Sequence, residues 1–144
     1  MSVYRSRKEN NIYNRYRDQN NKNGCQFCEI GEGDKQYVAE SKSFKVIRNI
    51  FAYSVWDGQR VTDHLMIVPK KHIDNLGSLT PAQSSEFLKL IDKYESQGYN
   101  IYARAPASKI KTVVHQHTHL IKSEGEHLNL LFVMHKPFYL RIPR

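Results

Sequence analysis

VVHQHTHLI, residues 113–121, sets three histidines, His115, His117 and His119, at alternate positions among β-branched and apolar residues. Alternation with a period of two is a strand pattern. It places the three imidazoles on one face, with about 6.5–7 Å between successive histidine Cα atoms. On a helix the same residues would splay around the axis. Each imidazole brings two ring nitrogens that need partners, so an apolar layer suits none of them. Two chemistries use such a set. Neutral imidazoles can bind a metal ion, or they can supply a nucleophile and anion contacts for phosphoryl chemistry. A polar strand face with incidental histidines is the plain alternative.

Working outward, HLMIVPKKHI (64–73) carries a short apolar run, Leu65 to Val68, stopped by Pro69, which reads as a buried strand with a sharp exit. Residues 37–39 and 43–50 read as strands, and Gly58 marks a turn after Trp56. Residues 80–97 carry the clearest helix signal. Thr80 is an N-cap, Pro81 sits at N1 and Gln83 at N3 completes a capping box. Phe87, Leu88, Ile91 and Tyr94 give it one apolar face, and Gly98 stops it. Residues 100–104 and 128–133 read as further strands, with a loop over 105–111. A second short helix is expected near 70–77. Strands around one main helix make an α+β domain.

The chain has 144 residues, a one-domain length that can bury a core without disulfides. Its formal net charge is +8. Six basic against two acidic residues place +4 of that within residues 1–24, and the two ends, 1–23 and 136–144, together hold +7. Both ends read as basic tails flanking a domain at 24–135, the first mostly disordered. Tyr4, Tyr13 and Tyr16 interleave with its basic residues and offer stacking faces, so weak, salt-sensitive nucleic-acid binding is one expectation for the tails. No apolar run approaches the 18 or more residues of a membrane span, and the N-terminus lacks a signal-peptide core, which points to cytoplasm or nucleus and to no membrane partner. Cys25 and Cys28 form a C-x-x-C pair, a metal-binding, redox or inert element rather than a disulfide framework.

Taken together, CQFCEI, HLMIVPKKHI and HQHTHLI, in this order along the chain, resemble the histidine triad (HIT) family over about two thirds of the chain. The resemblance implies a HIT-like fold: an antiparallel sheet of about five strands packed with one main helix and a short second one. It also implies a nucleotide hydrolase or nucleotidyltransferase working at the α-phosphate of a nucleotide, expected to be a purine one. His117 would be the nucleophile, forming a nucleotidyl-histidine. His119 would contact the phosphate and His64 would support the triad. Phe27 and Ile30 would lie near the base with Ile47 behind; Phe44 and Phe51 are further apolar candidates.

The resemblance further implies a structural zinc held by Cys25, Cys28, His72 and His115, and a homodimer in which Tyr99, Ile101 and the 88–91 helix face are interface candidates. The family's Gly-Gln-Ser-Val segment reads Ile110, Lys111, Thr112, Val113 here, and a family asparagine is replaced by Arg104. Arg104, Lys111 and Thr112 are accordingly expected at the phosphate. The added charge suits a polyphosphorylated or nucleic-acid-linked substrate. Removal of AMP from adenylated nucleic-acid ends, or non-catalytic nucleotide sensing, are the competing functions. His127 and His135 fall outside every motif and read as rim residues.

Overall fold

The computed structural model describes residues 3–5, 7–20, 24–125, 127, 131–133 and 139–141. His135, Lys136 and Arg144 fall outside them. Nine strands occur among these residues: β1 (Val3–Tyr4), β2 (Tyr37–Glu40), β3 (Phe44–Arg48), β4 (Val55–Trp56), β5 (Gln59–Pro69), β6 (Asn100–Ala103), β7 (Thr118–Glu124), β8 (Leu131–Val133) and β9 (Tyr139–Arg141). The helices are α1 (Arg7–Asn20), α2 (Gln26–Glu29) and α3 (Pro81–Glu95), with a 3-10 turn at Leu76–Ser78 where the short second helix was expected. The order β2-β3-β5-β7-β6 forms an antiparallel sheet of five main strands, extended past β5 by β4 and β1. β8 and β9 pair separately.

Period-two alternation gives the sheet two different faces. Phe44, Val46, Leu65, Ile67 and Leu120 join Tyr94, with Phe87, Leu90 and Ile91 of α3 packed on them. Each such fully buried side chain contributes roughly 1.5–3 kcal/mol through apolar area removed from water. Thr80 fixes where α3 starts. Its hydroxyl accepts from Gln83 N–H at 3.3 Å, and the Gln83 side-chain Oε1 accepts from Thr80 N–H at 3.0 Å. Leu88, in contrast, is 63% exposed. On the opposite face, Phe27, Ile47, Met66 and Val68 form a second cluster, and this is the face on which His64 and His119 stand.

β5 is longer than the apolar run LMIV suggests. Asp57 and Gly58 take φ of +49° and +81°, and this Asp-Gly corner folds β4 back on β5. The segment 113–121 is a strand only from Thr118. Thr118 pairs with Ile67 of β5 and Ala103 of β6, close to where both neighbouring strands end. With no ladder beyond it, the backbone before Thr118 bonds elsewhere: Gln116 N–H donates to Ile73 O at 2.6 Å. His115 and His117 therefore do not share a strand face with His119, and the one-strand reading is corrected.

The stretch expected to be mostly disordered contains α1 and β1. α1 is rich in Asn and Arg, and tertiary contact outweighs its weak intrinsic preference. Tyr13 and Tyr16 turn onto Phe51, with ring centroids 5.3 and 4.9 Å apart, instead of offering their faces to solvent. Glu9 accepts the Ser54 hydroxyl.

Candidate active site and metal centre

Two of the candidate histidines are locked into a directional chain. His64 Nδ1 accepts from Tyr53 N–H at 3.2 Å, which leaves the His64 proton on Nε2. That proton is donated to His119 Nδ1 at 2.9 Å. His119 then keeps its own proton on Nε2. His117 is fixed differently: its Nδ1–H donates to the carbonyl of His115 at 2.8 Å, so Nε2 holds the lone pair. Both rings line one cavity, with centroids 5.0 Å apart.

Electrostatics favour the neutral forms that this network requires. Burial, then the Arg5 charge, pushes His64 down to about 3. Burial holds His119 well below the ordinary imidazole value, with His117, His64, Arg104 and Arg5 adding to it. His117 is lowered first by burial, against its bond to the His115 carbonyl, with Lys111 and Arg104 lowering it further. A buried neutral imidazole with a free Nε2 is a nucleophile, and a neighbouring N–H can hold an oxyanion.

The cavity has a polarity. The Phe27 ring meets His117 edge-on at 5.1 Å, with Met66 and Val113 also lining that side. The Tyr53 ring lies 5.6 Å from His119, and its hydroxyl accepts from Arg104 at 3.4 Å. Lys111 lines the cavity but is already engaged, donating to Asp74 O at 2.8 Å and to Gln116 Oε1 at 3.3 Å. Thr112 accepts the Tyr13 hydroxyl. Phe51 lines the cavity as well. Ile47 is fully buried and Ile30 packs against the same cluster behind Phe27, and neither lines this cavity. Phe44 belongs to the helix-side core. His127 is exposed, beside Gly58.

The lining residues that sequence reasoning missed include Asn49, Tyr53, Arg5 and Tyr13. Asn49 could have been found. It is the first polar uncharged residue after the strand run FKVIR, and the β3–β5 register brings its N–H to His64 O at 2.9 Å. Arg5 and Tyr13 carry no local signal, because they reach the site only through the fold of the N-terminal arm.

Cys25, Cys28, His72 and His115 converge beside this cavity, one ligand atom from each lying within 4.8 Å of all the others. Cys25 Sγ is 3.3 Å from His115 Nδ1, Cys28 Sγ is 3.3 Å from His72 Nδ1, and Cys28 Sγ is 3.5 Å from His115 Nδ1. Tetrahedral zinc with ordinary Zn–S and Zn–N bonds sets S···N at about 3.6 Å, so the donor set fits. His115 Nε2–H donates to Pro69 O at 3.0 Å, which turns the Nδ1 lone pair toward the cluster. Burial, then His72, pushes His115 down to about 4, keeping it in the neutral form a metal needs. The Cys28 thiol is raised by burial and by Cys25 beside it, a repulsion that a dication would relieve.

Residues 31–126 match the model of the HIT domain. The chain belongs to the HIT family. Solved HIT structures share its fold. A HIT family protein from Bacillus anthracis is 26% identical at a TM-score of 0.55, covering 72% of this chain and 76% of that one. A HIT family hydrolase from Legionella pneumophila is 24% identical at a TM-score of 0.52, covering 71% and 95%. A Zn-bound histidine triad family protein from Mycobacterium smegmatis is 21% identical at a TM-score of 0.53, covering 70% and 76%. No curated protein matches the chain. Among the described residues of this HIT protein, no helix is long and apolar enough to cross a membrane.

Proposed function

We propose that this HIT protein is a nucleotide hydrolase or nucleotidyltransferase acting at the α-phosphate of a purine nucleotide, with residues 24–135 as the catalytic unit. The observation that carries the reading is the His117 Nδ1–H bond to the His115 carbonyl, which leaves the Nε2 lone pair beside the His119 N–H. His117 Nε2 attacks phosphorus, an N–P bond forms, and the bond to the leaving group breaks with its electron pair. His119 Nε2–H, backed by His64, bonds a phosphoryl oxygen as charge builds. Thr112 and Arg104 add contacts to the same group, and Lys111 adds positive charge. Water then adds to phosphorus, the N–P bond breaks, its electrons return to Nε2, and the nucleoside monophosphate leaves while solvent takes the proton released by water. Phe27 packs the base, with Ile30 and Ile47 as the apolar layer behind it.

The metal reading rests on the donor geometry and on a Zn-bound relative. Cys25, Cys28, His72 and His115 hold a structural zinc, which ties the loop before α2 to the segment carrying His117. The exposed Leu88 on α3 supports the homodimer. Phe87 and Ile91 face the sheet, and Tyr99 and Ile101 pack on the same core, so Leu88 is the side chain left outward. Weak nucleic-acid binding by the basic ends belongs to the same proposal. Fluorescence anisotropy with a labelled oligonucleotide at low salt tests it.

A fluorogenic adenosine phosphoramidate tests the enzyme reading. Turnover by the wild-type chain and loss of it in His117→Ala, with the circular dichroism spectrum preserved, is the expected result. Tight binding of the nucleotide with no turnover would favour a sensor.

A further inference from the structure

The N-terminal arm brings a second guanidinium to the cavity. Arg5 lines it alongside Arg104, and both meet at Tyr53. Arg5 Nε–H donates to Phe51 O at 2.9 Å, and its guanidinium carbon lies 4.3 Å from the Tyr13 ring centroid and 5.0 Å from that of Tyr53. Arg104 lies over Tyr102 at 5.2 Å. Aromatic contact with a guanidinium's faces leaves its N–H edge as the part that bonds anions. Among the described residues, the carboxylate ion pairs belong to Arg48, Lys70 and Lys122, so neither Arg5 nor Arg104 is neutralised in that way. Glu9, the acidic group acting on Arg5, accepts the Ser54 hydroxyl. Burial lowers Arg5 from its ordinary value, with Arg104 adding to this and Tyr53, Tyr13 and Glu9 acting against it.

The succession Phe27, His117, His119, Tyr53 then gives the cavity a direction. It runs from an aromatic end, past the two imidazoles, to a pair of arginines. An α-phosphate at His117 and His119 with its base toward Phe27 turns whatever follows the phosphate toward Arg5 and Arg104.

Resting on the nucleotide reading of this cavity, we propose that Arg5 is a specificity-determining residue which, with Arg104, binds a second phosphate group next to the α-phosphate, so that the preferred leaving group is itself anionic. In the reaction, His117 Nε2 bonds to phosphorus, the P–O bond to the second phosphate breaks, and that phosphate departs with the electron pair. Its charge is taken up by the two guanidiniums, and no proton need be supplied. An amine leaving group gains nothing from the pair and must acquire a proton. Arg5 and Tyr13 of the N-terminal arm are thereby part of the substrate site, with Tyr13 holding the Arg5 guanidinium on one side.

The test measures equilibrium binding of two ligands that are not turned over, AMP and α,β-methylene ADP, to the full chain by calorimetry. The wild-type protein should bind the methylene diphosphate roughly tenfold or more tightly than AMP, the increment of a charge-assisted contact. Arg5→Ala should bring the two affinities within about twofold of each other, and Arg5→Lys should retain part of the preference. A merely structural role for Arg5 would weaken both ligands together and keep their ratio. An unchanged ratio in Arg5→Ala, or no preference in the wild type, overturns the proposal. Turnover that survives His117→Ala would sink the nucleophile assignment alone, since the binding ratio is read without chemistry.

Discussion

His64 Nε2 lies 2.9 Å from His119 Nδ1, and the Tyr53 N–H on the other side of the His64 ring makes that contact run one way, from His64 to His119. Removing the donor leaves His119 free to carry its proton on the wrong nitrogen. His64→Phe is therefore expected to lower kcat by about tenfold or more, a loss of at least ~1.4 kcal/mol in the transition state. Steady-state kinetics check this. A change confined to KM would contradict a role exerted through His119.

The same burial makes stability depend on acid. His64 titrates near 3 in the folded chain against an ordinary 6.5, so the unfolded chain takes up the proton first as pH falls. Its contribution is fully present above pH 6.5 and is lost progressively between 6.5 and about 3. Urea midpoints measured at steps across this window should fall with pH. In His64→Phe that fall should be shallower than in the wild type; an identical slope would remove His64 as its source.

A zinc held by Cys25, Cys28, His72 and His115 would act on stability more than on the chemical step. Protein purified without added metal should contain one zinc per chain by elemental analysis. Cys25→Ala should lose it and lower the melting temperature by several degrees or more, because metal binding energy is folding energy when the apo site is not preformed. A metal-free chain with an unchanged melting temperature would remove the site.

Helix α3 offers a check on the scaffold away from the site. Thr80→Ala removes the hydroxyl that accepts from Gln83 N–H, while the backbone N–H of position 80 can still donate to the Gln83 side chain, and should cost about 1 kcal/mol in urea denaturation without altering turnover. A cost near zero would mean that the packing of α3 on the sheet, rather than its cap, sets where the helix begins.

How far the sequence reached depended on the range of each signal. The capping box, the Asp-Gly corner and the apolar runs of β3 and β5 are local, and the structure has them where the residues imply. The convergence of Cys25, Cys28, His72 and His115 was legible because each member sits in a short motif, although His115 and Cys25 are 90 residues apart. The histidine alternation misled at one point. It reads as one strand, yet with β5 ending at Pro69 and β6 at Ala103, His115 and His117 lie outside the ladder. That departure separates a His115 side chain beside Cys25, Cys28 and His72 from a His117 side chain in the cavity. Arg5 and Tyr13 were illegible because their segment has the composition of a solvated tail, and contacts with distant residues such as Phe51, Tyr53, Ser54 and Thr112 give it a place.

The proposed reaction turns on a bond between His117 Nε2 and phosphorus. Rapid mixing of the wild-type chain with adenosine phosphoramidate, quenching in alkaline denaturant (which preserves an N–P bond to imidazole) and mass spectrometry of peptides digested at alkaline pH should show an adenylyl group on the peptide carrying His117, and none in His117→Ala. An adenylyl group on a different residue, or turnover undiminished in His117→Ala, would contradict it.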